Sequence, residues 1–73
     1  MSLNPTLTPR ERDVLACLTV GKSNREIATE LNLAVTTVKS HLSSIYKKLG
    51  VSNRTQAAIF GLGIFPTLRA VAS

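Results

Sequence analysis

Residues 31–35, Leu-Asn-Leu-Ala-Val, leave almost no room between two helical patterns, and this corner constrains the chain more than any other stretch. On its N-terminal side Ile27, Ala28 and Leu31 repeat at the spacing of one helix face. On its C-terminal side Val38, Leu42, Ile45 and Leu49 do the same over a longer span. Asn32 tolerates the left-handed conformation that ends a helix, and Leu33 is placed to plug the corner. A short helix, a tight turn and a longer helix form the unit around which everything else must pack.

The punctuation of the remaining chain agrees with this. Ser23 and Glu26 make a capping box, so the second helix should run from about Asn24 to Leu31. The third should run from about Val35 to Leu49 and stop at Gly50. Upstream, Thr8, Pro9 and Glu11 supply a cap hydroxyl, a first-turn proline and a capping-box acid, which start a first helix at Pro9. Val14, Leu15 and Leu18 are its apolar stripe, and Gly21 stops it after Val20. Downstream, Ser52 or Asn53 caps a fourth helix through "RTQAAIFGLG", and Pro66 ends any helical pattern. There is no useful period-2 alternation, so the sequence predicts an all-α fold, a four-helix bundle containing a helix-turn-helix. Residues 1–7 read as an extended entry, 8–65 as the folded domain and 66–73 as a C-terminal tail. Met1, Ser2 and Leu3 read as a possible cloning remnant, in which case the chain is a piece of something longer.

A chain of 73 residues has room for one small core and no deep, walled active site. Nine Lys and Arg against four Asp and Glu give a net charge of +5, which favours a polyanionic partner. Cys17 is the one cysteine, so neither a disulfide framework nor a cysteine-based metal site is available. Its neighbours Leu15, Ala16 and Leu18 mark it as a small residue near the core, and the cysteine usage fits a reducing cytoplasm. The longest apolar run, "AAIFGLGIF" at 57–65, is nine residues, against the roughly 20 needed to span a bilayer. Neither a membrane partner nor a signal peptide is expected.

The third helix carries the most specific signal. Thr36, Lys39, Ser40, Ser43 and Lys47 lie almost opposite its apolar stripe, with no acid among them. A face meant only for water would mix Glu with Lys. The major groove of DNA, about 12 Å wide, accepts one helix whose outward residues meet base edges. Thr36, Lys39, Ser40 and Ser43 have that spacing and are the candidate base readers. Candidate phosphate contacts are Thr37, His41, Lys47 and Lys48 on the flanks of that helix. Lys22, Ser23, Asn24 and Arg25 join them at the start of the second, where free N–H groups and the helix dipole favour an anion. His41 has no second His or Cys pair to complete a metal site, so no metal and no cofactor are expected. With no nucleophile-base pair and no phosphate-binding glycine loop, an enzyme has little support. A helical adaptor using an apolar fourth helix, or a nonspecific nucleic-acid binder, are the rival readings. Glu11, Glu26 and Arg54 are expected to form an internal ion-pair network.

Several separated signatures, "LTPRERDVL", "GKSNREIA", "TVKSHL" and "YKKLGVSNRTQA", agree in order and spacing with one family. Over about residues 7–62 the chain resembles the LuxR-type helix-turn-helix domain of quorum-sensing and NarL/FixJ-type regulators. The resemblance implies a bacterial transcription regulator's effector domain that binds double-stranded DNA as a homodimer, with Thr36, Lys39, Ser40 and Ser43 at the base-reading positions. It also implies a dimer contact on the fourth helix, at Ala58, Phe60, Gly61 and Leu62, and admits RNA polymerase as a further partner. Sensing or phosphorylation would belong to a separate N-terminal domain. Three departures from the family pattern stand out, one being that Thr36 and Ser43 stand where relatives often carry charged or larger polar residues, so the base preference cannot be copied from any of them. Ala34 replaces the usual serine cap of the third helix, at a cost of ~1 kcal/mol and with fraying or a shifted start expected. Gly61 and Gly63 replace helix formers, each costing roughly 1 kcal/mol, which weighs against a long fourth helix, although glycines also allow two helices to approach closely.

Overall fold

The computed structural model describes residues 7–64. The expected N-terminal entry before Leu7, and the tail and stop at Pro66, lie outside the described residues. Within them the chain forms α1 (Pro9–Thr19), α2 (Asn24–Leu31), α3 (Val35–Leu49) and α4 (Arg54–Ile64).

Side-chain oxygens start three of the helices. Thr8 Oγ1 accepts from Glu11 N at 3.1 Å while Glu11 returns an oxygen to Thr8 N at 2.9 Å. Ser23 and Glu26 repeat the exchange at α2, with distances of 3.1 and 2.7 Å. At α4, Asn53 is the cap, its Oδ1 accepting from Gln56 N, and Gln56 reaches back to Ser52 N. The stops share one geometry. Lys22 N donates to Cys17 O, Leu33 N to Ala28 O and Val51 N to Tyr46 O, each pairing a residue past the helix end with a carbonyl otherwise left unsatisfied. The backbone can close this way because Asn32 (φ 59°) and Gly50 (φ 69°) adopt the left-handed conformation.

α1 packs against both α3 and α4, and α3 also against α2. The apolar stripes meet in one core in which Val14, Leu15, Ile27, Val38, Ile45 and Ala57 are wholly buried. Leu7 and Cys17 are buried with them, while Leu33, Tyr46 and Phe60 pack at its margin.

Three local expectations change. α3 begins at Val35 although Ala34 offers no side-chain cap. Leu33 and Val38 sit at the staple positions before and inside the first turn and are both held by the core, so apolar packing fixes the start of α3 while its first N–H groups receive no side-chain cap. α4 runs through Gly61 and Gly63 to Ile64. A Cβ on Gly61 would lie 2.5 Å from Thr19 Cγ2 and 3.1 Å from Leu15, so its missing side chain lets α4 lie close on α1. The proposed network of Glu11, Glu26 and Arg54 does not form: Glu11 bonds to Lys48, Glu26 to the Ser23 cap and Arg54 to Asn24.

Candidate nucleic-acid interface

The α3 stripe of Val38, Leu42, Ile45 and Leu49 is buried, which fixes the helix's rotation about its axis. Thr36, Lys39, Ser40, Ser43 and Lys47 are consequently all exposed on the opposite side. Thr37 and His41 are half-buried at the edge of that face. The described residues supply Lys39 and Lys47 with no acidic partner, so the face presents uncompensated positive charge among short hydroxyls. That combination can hydrogen-bond base edges and attract phosphates.

One buried carboxylate sets this helix in place. Glu11, 5% exposed, receives Lys48 Nζ at 2.8 Å and Thr8 N at 2.9 Å on one oxygen, and Ser44 Oγ at 2.7 Å on the other. Lys48 chiefly, with Ser44 and Thr8, holds the carboxyl well down, at about 2, against the opposing effect of burial. The first turn of α1 is thereby joined to the far half of α3. Lys48, a candidate phosphate contact by sequence, is committed to this link.

The start of α2 is also held internally. Arg54, the first residue of α4, donates through one Nη to Asn24 Oδ1 at 2.7 Å and through the other to the Lys22 carbonyl. Ser23 is occupied as a cap, its partner Glu26 having its carboxyl lowered by the backbone bond to Ser23. Lys22 Nζ lies 3.1 Å from Glu30, a bond that raises its pKa. Of the basic candidates here, Arg25 alone is exposed without a recorded partner among the described residues. Lys22, Arg25, Glu26, Thr29 and Glu30 line an open hollow of about 350 Å³ on the outer side of α2.

α4 directs less apolar surface outward than its composition suggests. Ala58 and Phe60 pack on the chain's own core and Gly61 is buried against α1. Leu62 is half-buried, and Ile59, 65% exposed, is the large apolar residue the sequence reading passed over. Its signal was present, since it stands opposite the buried Ala57 and Gly61 on a helical wheel. Glu11's role between helices, Arg54's bonds to α2 and Glu30's pairing were not visible in spacing. Among the described residues no His, Cys, Asp and Glu side chains cluster as a metal site.

The profile described as "Bacterial regulatory proteins, luxR family" matches residues 5–60. The chain belongs to this family. As a LuxR-family member it is a helix-turn-helix, DNA-binding domain of a transcription regulator. It is 47% identical over 55 residues to the transcriptional regulatory protein LiaR of Bacillus subtilis (strain 168), covering 75% of this chain and 26% of LiaR. It is 51% identical over 51 residues to the CsgBAC operon transcriptional regulatory protein of Escherichia coli (strain K12), covering 70% and 24%. The chain therefore spans about a quarter of these relatives. The DNA-binding domain of the response regulator ComA, solved in complex with the anti-activator RapF, matches with a TM-score of 0.74 and 39% identity, over 77% of this chain and 97% of that one. VqmA of Vibrio cholera, solved in a ligand and DNA complex, matches with a TM-score of 0.75 and 27% identity, over 85% and 27%. No helix among the described residues of this LuxR-family chain is long and apolar enough to cross a membrane.

Proposed function

We propose that this LuxR-family domain reads a specific duplex through α3, with Thr36, Lys39, Ser40 and Ser43 at the base edges. The observation that carries this is the exposed, acid-free face opposite a fully buried stripe, because burial fixes which side of α3 can face a groove. Arg25 and Lys47 meet phosphates as they stand, and Thr37 and His41 border them. Lys22 and Asn24 reach phosphates only by changing partners, and Lys48 stays with Glu11. Two copies bind side by side through the outward residues of α4, Ile59 and Leu62, on a site with two-fold symmetry. The likeness to the ComA domain supports a place as the effector domain of a response regulator.

Selection of a randomised duplex pool by the purified domain, at near-physiological salt, tests this reading. A two-fold-symmetric motif is expected from the wild type. Lys39→Ala should cost about 1–3 kcal/mol of specific binding and blur one base pair per half-site. Unchanged enrichment by the folded variant would overturn the base-reading assignment.

A further inference from the structure

Lys22 has a fixed backbone and a side chain with a choice to make. Its N–H is bonded to Cys17 O and its carbonyl receives Arg54, so only the ammonium can move between partners. In the free chain that ammonium rests 3.1 Å from Glu30 Oε1, while the other Glu30 oxygen lies 3.8 Å from the buried Cys17 Sγ. Burial and Glu30 push the Cys17 thiol up, so it stays protonated and keeps the carboxylate oriented.

Glu30 does little for the fold from this position. It stands in the last turn of α2, where a negative charge opposes the helix dipole. Its pair with Lys22 is also open to solvent, with side chains 35% and 51% exposed, and such pairs contribute weakly to stability. Of the two carboxylates lining the α2 hollow, Glu26 holds the Ser23 cap, and Glu30 is the one paired directly with the Lys22 ammonium.

We infer that Glu30 competes with DNA phosphate for Lys22 and so restrains the affinity of this domain for every duplex. Resting on the DNA-binding reading above, this makes binding a partner exchange: the Lys22 ammonium leaves Glu30 for a phosphate oxygen, and the carboxylate is left facing solvent. The exchange is inexpensive because the resting pair is half-exposed. It is unselective because phosphates carry no sequence information.

The test is titration of a fluorescent mixed-sequence duplex with the 73-residue chain across a salt series. The proteins are wild type, Glu30→Gln, Glu30→Ala, Lys22→Ala and the Lys22→Ala/Glu30→Gln double variant, each checked for helicity. Either Glu30 change should tighten binding on the order of fivefold while leaving the salt slope nearly unchanged, because Lys22 meets a phosphate in every complex and only the cost of leaving Glu30 is removed. In the Lys22→Ala background the gain should vanish. Unchanged or weaker binding by folded Glu30 variants would overturn the inference, and so would a full gain without Lys22, since the carboxylate's field would then act alone. A wild type that binds no duplex at any salt would instead overturn the DNA-binding reading itself.

Discussion

Replacing Glu11 with glutamine removes one charge and almost no volume from the link between α1 and α3. A carboxyl held at about 2 from an ordinary 4.5 favours the folded state by up to about 3 kcal/mol, at about 1.4 kcal/mol per unit. Lys48, its principal partner, is 35% exposed, and solvent screening there brings the expected loss to about 1–2 kcal/mol. For a domain of this size that lowers the melting temperature by roughly 5–10 °C. Because the folded pKa is depressed, the contribution is complete above pH 4.5 and is lost as pH falls from there toward about 2. Urea denaturation across that window should show wild type and Glu11→Gln separated at pH 7 and converging as the pH drops. Equal stability at pH 7, or the same separation at every pH, would refute the account of Glu11 as a charged link.

Gly61→Ala should destabilise by about 1–3 kcal/mol despite the better helix propensity of alanine. The new methyl meets Thr19 Cγ2, and Thr19 Oγ1 is tied to Ala16 O at 2.6 Å, so Thr19 cannot turn aside freely. Gly63→Ala, two residues on in open space, should stabilise by about 0.5–1 kcal/mol, and melting curves of the two variants must therefore move in opposite directions. Ala34→Ser should add about 0.5–1 kcal/mol by capping α3, with slower amide exchange at Thr36 and Thr37 as the residue-level readout. Unchanged exchange there would mean that the Leu33 and Val38 staple already saturates that turn.

Local devices were legible in the sequence because they are written within a few residues. Thr8 with Glu11 and Ser23 with Glu26 fixed where α1 and α2 begin, and Asn32 and Gly50 where α2 and α3 end. The polar face of α3 was legible for the same reason, since helical periodicity alone places Lys39 and Ser43 opposite Ile45. The contacts that join helices were hidden. Glu11 announces itself as a capping acid, and nothing near it says that its free oxygen meets Ser44 or that Lys48 arrives from the end of α3. Gly61 signals a weak helix or a close approach, and that the helix it admits is α1 appears only in the fold. Lys22, Asn24 and Lys48 were read as cations and donors in want of an anion, and folding provides all three with internal partners.

Arg54 has a metrical consequence. Its planar fork ties the first residue of α4 to Asn24 and to the Lys22 carbonyl, so the starts of α2 and α4 are held as one rigid corner. In the dimer proposed above, that corner would act together with the packing of α3 and α4 on α1 to hold the distance from the dyad to each helix-turn-helix. Arg54→Lys, which cannot make both bonds of the fork, should then widen the range of half-site spacings that the proposed dimer accepts while leaving the bases assigned to α3 unchanged.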